Sequence, residues 1–432
     1  MLLSFSAKNF RSFREEFTLS MIAAPKQKGL DYSVRVLKNK TRVLCSSVIY
    51  GPNASGKTSV IYALDLLKNI ILDGNIHNKE SLHRGNPCVL NMGLVPNFQQ
   101  KSKKPVEFRI CFEVNENIYL YELSIDLGRF MENVQRKIIR ESLSVNDLVI
   151  FERSENDITI PNFKKNSSLF PIEIEENVEI AKKLAKNSLS PEELFLTNGF
   201  KNVYGKILYP DIFEFFNKKL ITFCNFQRVE FFPKILNNGI FNDKSMTEAA
   251  KAFGSDLSNL VFIKTKDDDQ PIMCSRISDG KIIPSEIIES LGTLRFVNMI
   301  PAIVLALKNG STLIIDEFDN SMHPMAVMSL INVFHNDDVN KHGAQLIFNS
   351  QNPIYLNNNV FRRDEIKFVD RDIKNNSSTL YSLSDFGTKG TTARKGKDYM
   401  ENYFVDKYGA IREIDLTDVF EYFLGSDDEK RK

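Results

Sequence analysis

The chain has 432 residues, with 56 Lys and Arg against 55 Asp and Glu, and its five Cys include no CxxC pair. Its 42% hydrophobic and 26% charged residues exclude a disordered or fibrous protein. A net charge of +1 excludes a global attraction to nucleic acid or anionic membranes. The length allows two or three folding units, with one interrupted domain as the alternative. Scattered cysteines argue against a zinc site or a disulfide framework and favour reduced thiols.

The start of the chain and its most apolar stretch predict a cytoplasmic protein that does not span a membrane. Residues 1–13 lack the basic flank and the sustained apolar core of a signal peptide. The most apolar stretch, residues 294–307, is fourteen residues long and contains Arg295 and Asn298. A spanning helix needs about 20 apolar residues. We therefore interpret this stretch as a buried core helix.

The first part of the chain predicts strands on both sides of one helix. Residues 1–25 read as strand-rich, and residues 43–50 form a short β-favouring run that stops at Gly51. A helix follows over residues 57–67, with its apolar residues on a shared face. Residues 106–152 predict an antiparallel set of strands with a hairpin turn at 115–117.

Residues 51–58, which read Gly-Pro-Asn-Ala-Ser-Gly-Lys-Thr, match the phosphate-loop pattern GxxxxGK[ST] in full. Glycines let backbone N–H groups turn inward around phosphate oxygens, and the helix start adds its positive dipole end. Lys57 reaches the β- and γ-phosphates, and the Thr58 hydroxyl ligates Mg²⁺. A chance turn before a helix is the alternative; the preceding strand and the following helix argue against it. The predicted nucleotide-binding residues of the loop are Asn53, Ala54, Ser55, Gly56, Lys57 and Thr58.

The residue pattern in the middle of the chain changes from strand-like to helical. From about residue 154 to 265, charged residues mix with Phe and Leu at helical spacings, as in residues 177–196 and 210–223. A β-type pattern returns at residues 272–284. Predicted helices from about 291 and over 324–334 then alternate with strands that end near residues 316, 350, 370 and 384. Strands that alternate with helices predict an α/β fold with a largely parallel sheet.

Residues 312–317 form an apolar run that ends in two acids. A buried parallel strand presents such residues at its carboxyl end, where open α/β sheets bind ligands. Asp316 suits a Mg²⁺ ligand, and Glu317 is then placed to activate an attacking water as a general base. The alternative is a strand that ends in exposed acids without a catalytic role. The phosphate loop favours the functional interpretation.

The chain resembles ABC-type ATPases of the RecF, SMC and OLD clan. It resembles most of all the stand-alone RloA/AbiL-like ATPases of abortive-infection and restriction-linked loci. The resemblance implies an ABC-type P-loop ATPase head with an antiparallel β subdomain and a helical insertion. The units are then an N-terminal ATPase lobe (1–153), the insertion (154–265) and a C-terminal ATPase lobe (266–432). The motifs that carry the resemblance are Asn9 to Phe13, the phosphate loop, Ser290 to Arg295, Asp316-Glu317, Met322-His323-Pro324 and Tyr408 to Ile411.

The resemblance also assigns residues beyond the phosphate loop. Ser290, Gly292 and Thr293 stand in the segment that contacts the γ-phosphate held by a partner subunit, which implies a homodimer with ATP at its interface. A helix cap is the plainer interpretation, and a capped N-terminus is itself an anion site. Arg11 is assigned to the neighbourhood of the nucleotide, against the alternative of an exposed turn.

The segment after the strand at 345–348 departs from the clan pattern at Gln351. The clan carries a His that senses the γ-phosphate, and Gln351 occupies that place here. A Gln amide donates a hydrogen bond but carries neither a proton nor a positive charge for catalysis. We therefore predict that ATP hydrolysis is slow or depends on a partner. A turnover rate at or above about 10 s⁻¹, the median for enzymes, would contradict this prediction.

Three classes of function remain open. The first, favoured by the resemblance, is the regulatory ATPase of a bacterial anti-phage system that controls a separate nuclease or toxin. The second is a RecF- or SMC-like DNA-repair ATPase or DNA clamp, with basic patches at residues 35–42 and 101–104. The third is a transporter subunit, which the start of the chain and the signature segment (residues 290–295) disfavour. A nuclease within the chain is disfavoured because the acids at 267–269 read as a loop.

Overall fold

The computed structural model describes residues 1–25, 27, 29–77, 93–100, 102–130, 132, 134–160, 178–224, 243–252, 259–265, 268–277, 279–372, 374–386, 398–412 and 415–429. Lys101 of the predicted basic patch at 101–104 and the acid Asp267 lie outside the described residues. Asp268 and Asp269 are not in a loop, because they begin a strand that pairs with its neighbour at Thr265.

The strands are named in chain order. They are β1 (Leu2–Lys8), β2 (Phe17–Ser20), β3 (Val34–Val36), β4 (Arg42–Leu44), β5 (Ser46–Tyr50), β6 (Val106–Val114), β7 (Asn117–Asp126), β8 (Lys137–Val145), β9 (Leu148–Ser154), β10 (Ile158–Thr159), β11 (Leu220–Phe223), β12 (Asn259–Thr265), β13 (Asp268–Arg276), β14 (Ile282–Pro284), β15 (Thr312–Ile315), β16 (Gln345–Asn349), β17 (Ile366–Asp372) and β18 (Ser377–Ser382).

The helices are named in the same way. They are α1 (Lys57–Asp73), α2 (Val178–Asn187), α3 (Lys201–Val203), α4 (Leu208–Glu214), α5 (Asp243–Ala252), α6 (Ser285–Ile288), α7 (Leu291–Asn309), α8 (Pro324–His335), α9 (Tyr399–Phe404) and α10 (Thr417–Glu429). Two π-helical segments, Leu196–Phe200 and Phe215–Lys219, adjoin α3 and α4.

A six-stranded sheet carries the phosphate loop. Its order is β11-β15-β16-β5-β17-β18, with parallel pairing except for β18 at the edge. Both faces are covered: Ile49 and Ile347 pack with α1, whereas Val48 and Phe348 pack with α7 and α8. Burial on both faces explains the continuous apolar runs of these strands. The predicted α/β fold with a largely parallel sheet is confirmed.

A seven-stranded antiparallel sheet forms the second layer, in the order β10-β9-β8-β7-β6-β1-β2. Along β6, Val106, Phe108 and Ile110 are buried while their neighbours are not, which is the period of a sheet with one covered face. Asn115 and Glu116 both have positive φ and join β6 to β7 as a two-residue turn. The predicted antiparallel set and its hairpin turn are confirmed.

The segment predicted as a helical insertion contributes a strand to the parallel sheet. Residues 210–219 are helical as predicted, but the next four form β11, which pairs in parallel with β15. Ile221, Thr222 and Phe223 favour a strand, and the free edge of β15 supplies the hydrogen bonds. The helical interpretation of 220–223 is therefore wrong, because pairing with a distant strand overrode the local spacing. The three proposed unit boundaries stay predictions.

Helix α7 is the one helix among the described residues that is long and apolar enough to cross a membrane. Its most apolar window is 67% buried inside the protein. It starts at the Ser290 cap and ends at Gly310, whose φ of 63° fits a glycine C-cap. The buried side chains of α7 belong to the core on one face of the parallel sheet, as the sequence interpretation of residues 294–307 predicts.

Candidate functional site

A cavity of about 1170 Å³ lies where the parallel strands β5, β15 and β16 end. It exceeds the range of about 300–1,000 Å³ that is usual for small-molecule sites. The carboxyl edge of a parallel sheet is the usual place for a ligand in an α/β fold. The predicted site residues that line the cavity are Arg11, Asn53, Ala54, Ser55, Gly56, Lys57, Thr58, Glu317 and Gln351.

The phosphate loop joins β5 to α1 and depends on two glycines. A Cβ atom on Gly51 would lie 2.2 Å from the Val369 carbonyl oxygen of β17. Gly56 has a φ of 115°, and a Cβ atom there would lie 2.6 Å from the hydroxyl of Ser12. Both positions therefore exclude a side chain, by close approach of the backbone and by dihedral angle. This packing holds the loop open towards the cavity and starts α1 at Lys57.

The donors around the loop fit a phosphate group. The Lys57 ammonium donates to the carbonyl oxygens of Gly51 and Pro52, at 2.6 and 3.0 Å. Burial lowers the pKa of Lys57, and the nearby carboxylates of Asp316 and Glu317 act in the opposite direction. The buried hydroxyls of Ser12 and Ser55 have no partner among the described residues, and both residues line the cavity. Phosphate oxygens would satisfy such donors.

Thr58 and Asp316 present adjacent oxygen atoms. The Thr58 hydroxyl donates to Oδ1 of Asp316 at 3.2 Å, and the Asn349 amide donates to the same oxygen. Burial raises the pKa of Asp316, while the hydrogen bonds from Asn349 and Thr58 lower it. Mg²⁺ binds oxygen ligands and often takes one carboxylate together with water and phosphate. These two side chains fit such a site.

Glu317 is held through its backbone. Its φ is 51°, a conformation that is uncommon for a residue other than glycine. The side chain of Asn349 accepts from its N–H at 2.5 Å, and Arg295 of α7 donates to its carbonyl oxygen at 2.6 Å. The carboxylate itself is exposed and faces the cavity. The Asn320 amide donates to Oε2 of this carboxylate at 3.4 Å. A fixed main chain therefore presents an exposed carboxylate to the cavity that Lys57 and Thr58 also line.

The sequence analysis missed Asn349 and gave Arg295 a different place. Asn349 ends the strand beside the one that carries Asp316, so its position at a strand end next to an acidic strand end was the available signal. The sequence analysis places Arg295 in the partner-facing segment. In the structure its guanidinium donates to the Glu317 carbonyl oxygen of its own chain, and only 7% of the residue is exposed. Its position five residues into an apolar helix gave no such signal.

Replacing Asn349 by Ala is expected to lower Mg²⁺ affinity or hydrolysis by about 10- to 100-fold, the usual cost of losing a residue that orients a metal ligand. The change removes one hydrogen bond to Asp316 and one to the Glu317 backbone. A Mg²⁺ titration of ATP hydrolysis measures it. Asn336→Ala, outside the cavity, is the matched control. Equal Mg²⁺ curves for the two variants would contradict the role of Asn349.

Arg11 lies between β1 and β2 and lines the cavity. Its φ is 49°, and its guanidinium stands 3.7 Å from the centre of the Tyr62 ring on α1. Burial lowers the pKa of Arg11, with Tyr62 acting in the opposite direction. The residue is partly buried and in contact with a neighbouring helix, which differs from the exposed turn that was the alternative. It lines the cavity as the predicted nucleotide contact.

Gln351 and the signature residues occupy different places. Gln351 is exposed and lines the cavity. Ser290, Gly292 and Thr293 are not among the lining residues of that cavity. The Ser290 hydroxyl accepts from the Thr293 N–H at 3.1 Å and so caps α7, as the plainer interpretation predicts. His323 likewise caps α8, where its Nδ1 accepts from the Met325 N–H at 3.2 Å.

A family model described as "AAA domain, putative AbiEii toxin, Type IV TA system" matches residues 46–357. The chain belongs to this AAA family. The matched region begins with β5 and extends past β16, so it contains the phosphate loop, the signature segment, the Asp316-Glu317 pair and Gln351. The chain is thus a P-loop ATPase by family. Arg11 lies before the matched region.

The solved structures that are similar in fold to this AAA-family chain include three SMC head domains. They are an SMC head domain from Thermotoga maritima (11% identity, TM-score 0.38), an SMC head bound to the C-terminal winged-helix domain of ScpA (12%, 0.41), and an SMC head with an extended coiled coil bound to the C-terminal domain of ScpA, from Pyrococcus furiosus (12%, 0.39). Each alignment covers 88% of this chain and 98%, 97% and 96% of the respective structure. A comparison with curated proteins found no match.

Proposed function

We propose that the chain dimerises around two Mg-ATP molecules, hydrolyses them slowly, and acts as the sensor or regulatory subunit of a bacterial anti-phage system. In this role it controls a separate effector, a nuclease or a toxin. The observation that carries the proposal is the division of the predicted ATP-binding residues. The phosphate loop and Glu317 share one cavity, whereas the signature segment lies outside it.

Within one subunit, each side chain at the cavity has a chemical task. Lys57 binds phosphate oxygens, and Thr58 and Asp316 hold Mg²⁺, which supplies charge stabilisation for phosphoryl transfer. Glu317 accepts the proton of an attacking water. Gln351 offers an amide at the cavity instead of an imidazole, which supports slow hydrolysis.

The start of α7 is suited to a second subunit. Ser290 is exposed, and beside it Leu291 and Ile287 expose 59% and 73% of their surface. Exposed apolar residues around a capped helix N-terminus offer both an anion site and a contact surface. In a head-to-tail homodimer, this segment would complete the site of the other copy.

The defence role rests on the family description, which names a putative AbiEii toxin and a type IV toxin–antitoxin system. A regulatory ATPase in such a system holds or releases its effector through ATP-driven dimerisation. The effector in this proposal is a second polypeptide, because the described cavity provides only the chemistry of ATP binding and hydrolysis.

The DNA-clamp hypothesis takes second place because four cations of the predicted basic segments are engaged in ion pairs. In residues 35–42, Arg35 pairs with Asp337, Lys38 with Glu116, and Arg42 with Asp31. Lys103 of the other segment pairs with Glu132 at 3.2 Å. Such pairs reduce the free positive charge that phosphate contacts require.

The solution mass of Glu317→Gln with Mg-ATP tests the proposal. Loss of the general base is expected to trap the ATP-bound dimer, with a mass of twice 49.5 kDa. Adding Ser290→Arg is expected to return the mass to that of a monomer while ATP binding persists, because a bulky cation blocks the exposed helix start. Ser154→Arg, on an exposed strand residue outside the cavity, is the matched control and should leave the dimer intact.

The remaining outcomes separate the hypotheses. Copurification of a second polypeptide with the trapped protein, expressed from its native gene neighbourhood, supports the effector role. A dimer that binds DNA with an affinity that falls steeply with salt favours the clamp instead. A monomer that Mg-ATP does not change contradicts the shared-site mechanism.

A further inference from the structure

Two exposed phenylalanine side chains line the cavity. Phe98 and Phe130 expose 40% and 38% of their surface, and both line the cavity that contains the phosphate loop. Their rings meet edge to face, with centroids 5.8 Å apart and an angle of 68° between planes. Large apolar rings that face a cavity stay in contact with water until a ligand covers them, and covering them is favourable.

The ring pair belongs to the same rigid neighbourhood as the predicted phosphate contacts. Asn97, beside Phe98, is buried and donates through its side chain to the Arg11 carbonyl oxygen at 2.7 Å. Its N–H also lies 3.1 Å from the Asn9 carbonyl oxygen. The segment that carries Phe98 is therefore fixed to the segment that carries Arg11, which places the rings beside the loop region.

Arg371 links the ring pair to the phosphate loop. Its guanidinium donates to the Ala54 carbonyl oxygen at 3.3 Å, and its central carbon lies 5.9 Å from the centre of the Phe98 ring. Its buried Nε has no partner among the described residues. One guanidinium thus contacts both the loop and the Phe98 ring, so the loop and the ring lie within the reach of a single side chain.

We propose that Phe98 and Phe130 form the platform on which the base of the bound nucleoside triphosphate stacks, with Arg371 beside it. This inference rests on the proposed binding of ATP and adds a second subsite to it. Aromatic side chains and bases stack through their π faces, with little dependence on the identity of the base. The platform therefore contributes affinity for nucleotides over base-free polyphosphates, and little discrimination among bases.

The test compares the dissociation constants of ATP and inorganic tripolyphosphate, both with Mg²⁺. For Phe98→Ala, the constant for ATP is expected to rise by about 5- to 100-fold, which matches the usual cost of losing one stacked base. The constant for tripolyphosphate is expected to stay the same. Phe98→Trp should bind ATP as tightly as the wild type, because it retains a stacking face. Phe213→Ala, at 42% exposure and outside the cavity, is the matched control.

Three results would overturn the inference. The first is wild-type protein that binds ATP no more tightly than tripolyphosphate, which leaves the phosphate site in place without a base platform. The second is an equal loss of both ligands in Phe98→Ala with no rescue by Phe98→Trp, which indicates a structural role. The third is wild-type protein that binds neither ligand, which contradicts the proposed ATP site as well.

Discussion

Replacing Glu317 by Gln is expected to lower the rate of ATP hydrolysis by about 10²- to 10⁴-fold, the usual contribution of a general base. Gln has nearly the same shape as Glu but does not accept a proton from water at neutral pH. Asn349 and Arg295 hold the backbone of residue 317, and the substitution leaves these two contacts in place. The Asn320 amide donates to Oε2 of Glu317 at 3.4 Å, and the amide oxygen of Gln can accept the same hydrogen bond. Binding of ATP is therefore expected to persist while hydrolysis stops.

Phosphate release under single-turnover conditions measures the effect, together with retention of labelled ATP. Glu179→Gln, which changes an exposed acid of helix α2 outside the cavity, is the matched control and should hydrolyse ATP as the wild type does. Hydrolysis by Glu317→Gln at the wild-type rate would assign the proton acceptor to another group. Loss of ATP binding in this variant would instead give Glu317 a role in holding the nucleotide.

Much of the fold and part of the site could be predicted because their signals are local. The phosphate loop is a contiguous motif, and the apolar run before Asp316 is a contiguous strand. The alternation along β6 and the two-residue turn at Asn115 are local in the same sense. In each case, the residues that define the feature lie within about one element of each other.

The features that could not be predicted depend on contacts between distant parts of the chain. Leu220–Phe223 forms a strand because the edge of β15, about ninety residues later, offers hydrogen bonds. Asn349 meets Asp316 and Glu317 only because β16 lies beside β15 in the sheet. Arg295 reaches Glu317 from a helix on one face of that sheet. The spacing of residues within a single helix or strand does not predict these long-range contacts.

Gln351 shows how sequence and structure combine. Its sequence position after β16 suggested the place of the usual phosphate-sensing His, and the structure gives it an exposed side chain on the cavity. The neighbouring Ser350 is instead buried and donates to Asp319 at 2.7 Å. Both residues line the cavity, but Ser350 is hydrogen-bonded to the acidic loop whereas Gln351 exposes its side chain, a difference that alignment by motif does not show.

A second large effect is expected far from the cavity, at a buried ion pair in the antiparallel sheet. Glu141 of β8 and Arg153 of β9 have fully buried side chains with a separation of 3.3 Å. Glu141 also accepts from the N–H groups of Phe195 and Leu196 at 2.7 and 2.8 Å. Burial raises the pKa of Glu141, and the Arg153 charge acts in the opposite direction. The pair joins the sheet to the π-helical segment that starts at Leu196.

Glu141→Ala is expected to lower the free energy of unfolding by about 3–5 kcal/mol, because it leaves the Arg153 charge buried without its partner. Urea unfolding followed by circular dichroism measures the loss. Arg140 and Glu152 form an exposed pair at 2.9 Å on the same two strands, so Glu152→Ala is the matched control, with an expected loss of about 0–1 kcal/mol.

The double variant Glu141→Leu with Arg153→Met separates the charge from the packing. Replacing both partners by apolar residues removes the unpaired charge, so its loss of stability should be smaller than that of Glu141→Ala. Equal losses for Glu141→Ala and Glu152→Ala would contradict the argument, since burial is the difference between the two pairs. Because a domain is stable by only about 5–15 kcal/mol, the single change consumes a large share of that stability. A site far from the nucleotide would then limit how much ATPase folds, while the activity per folded molecule stays the same.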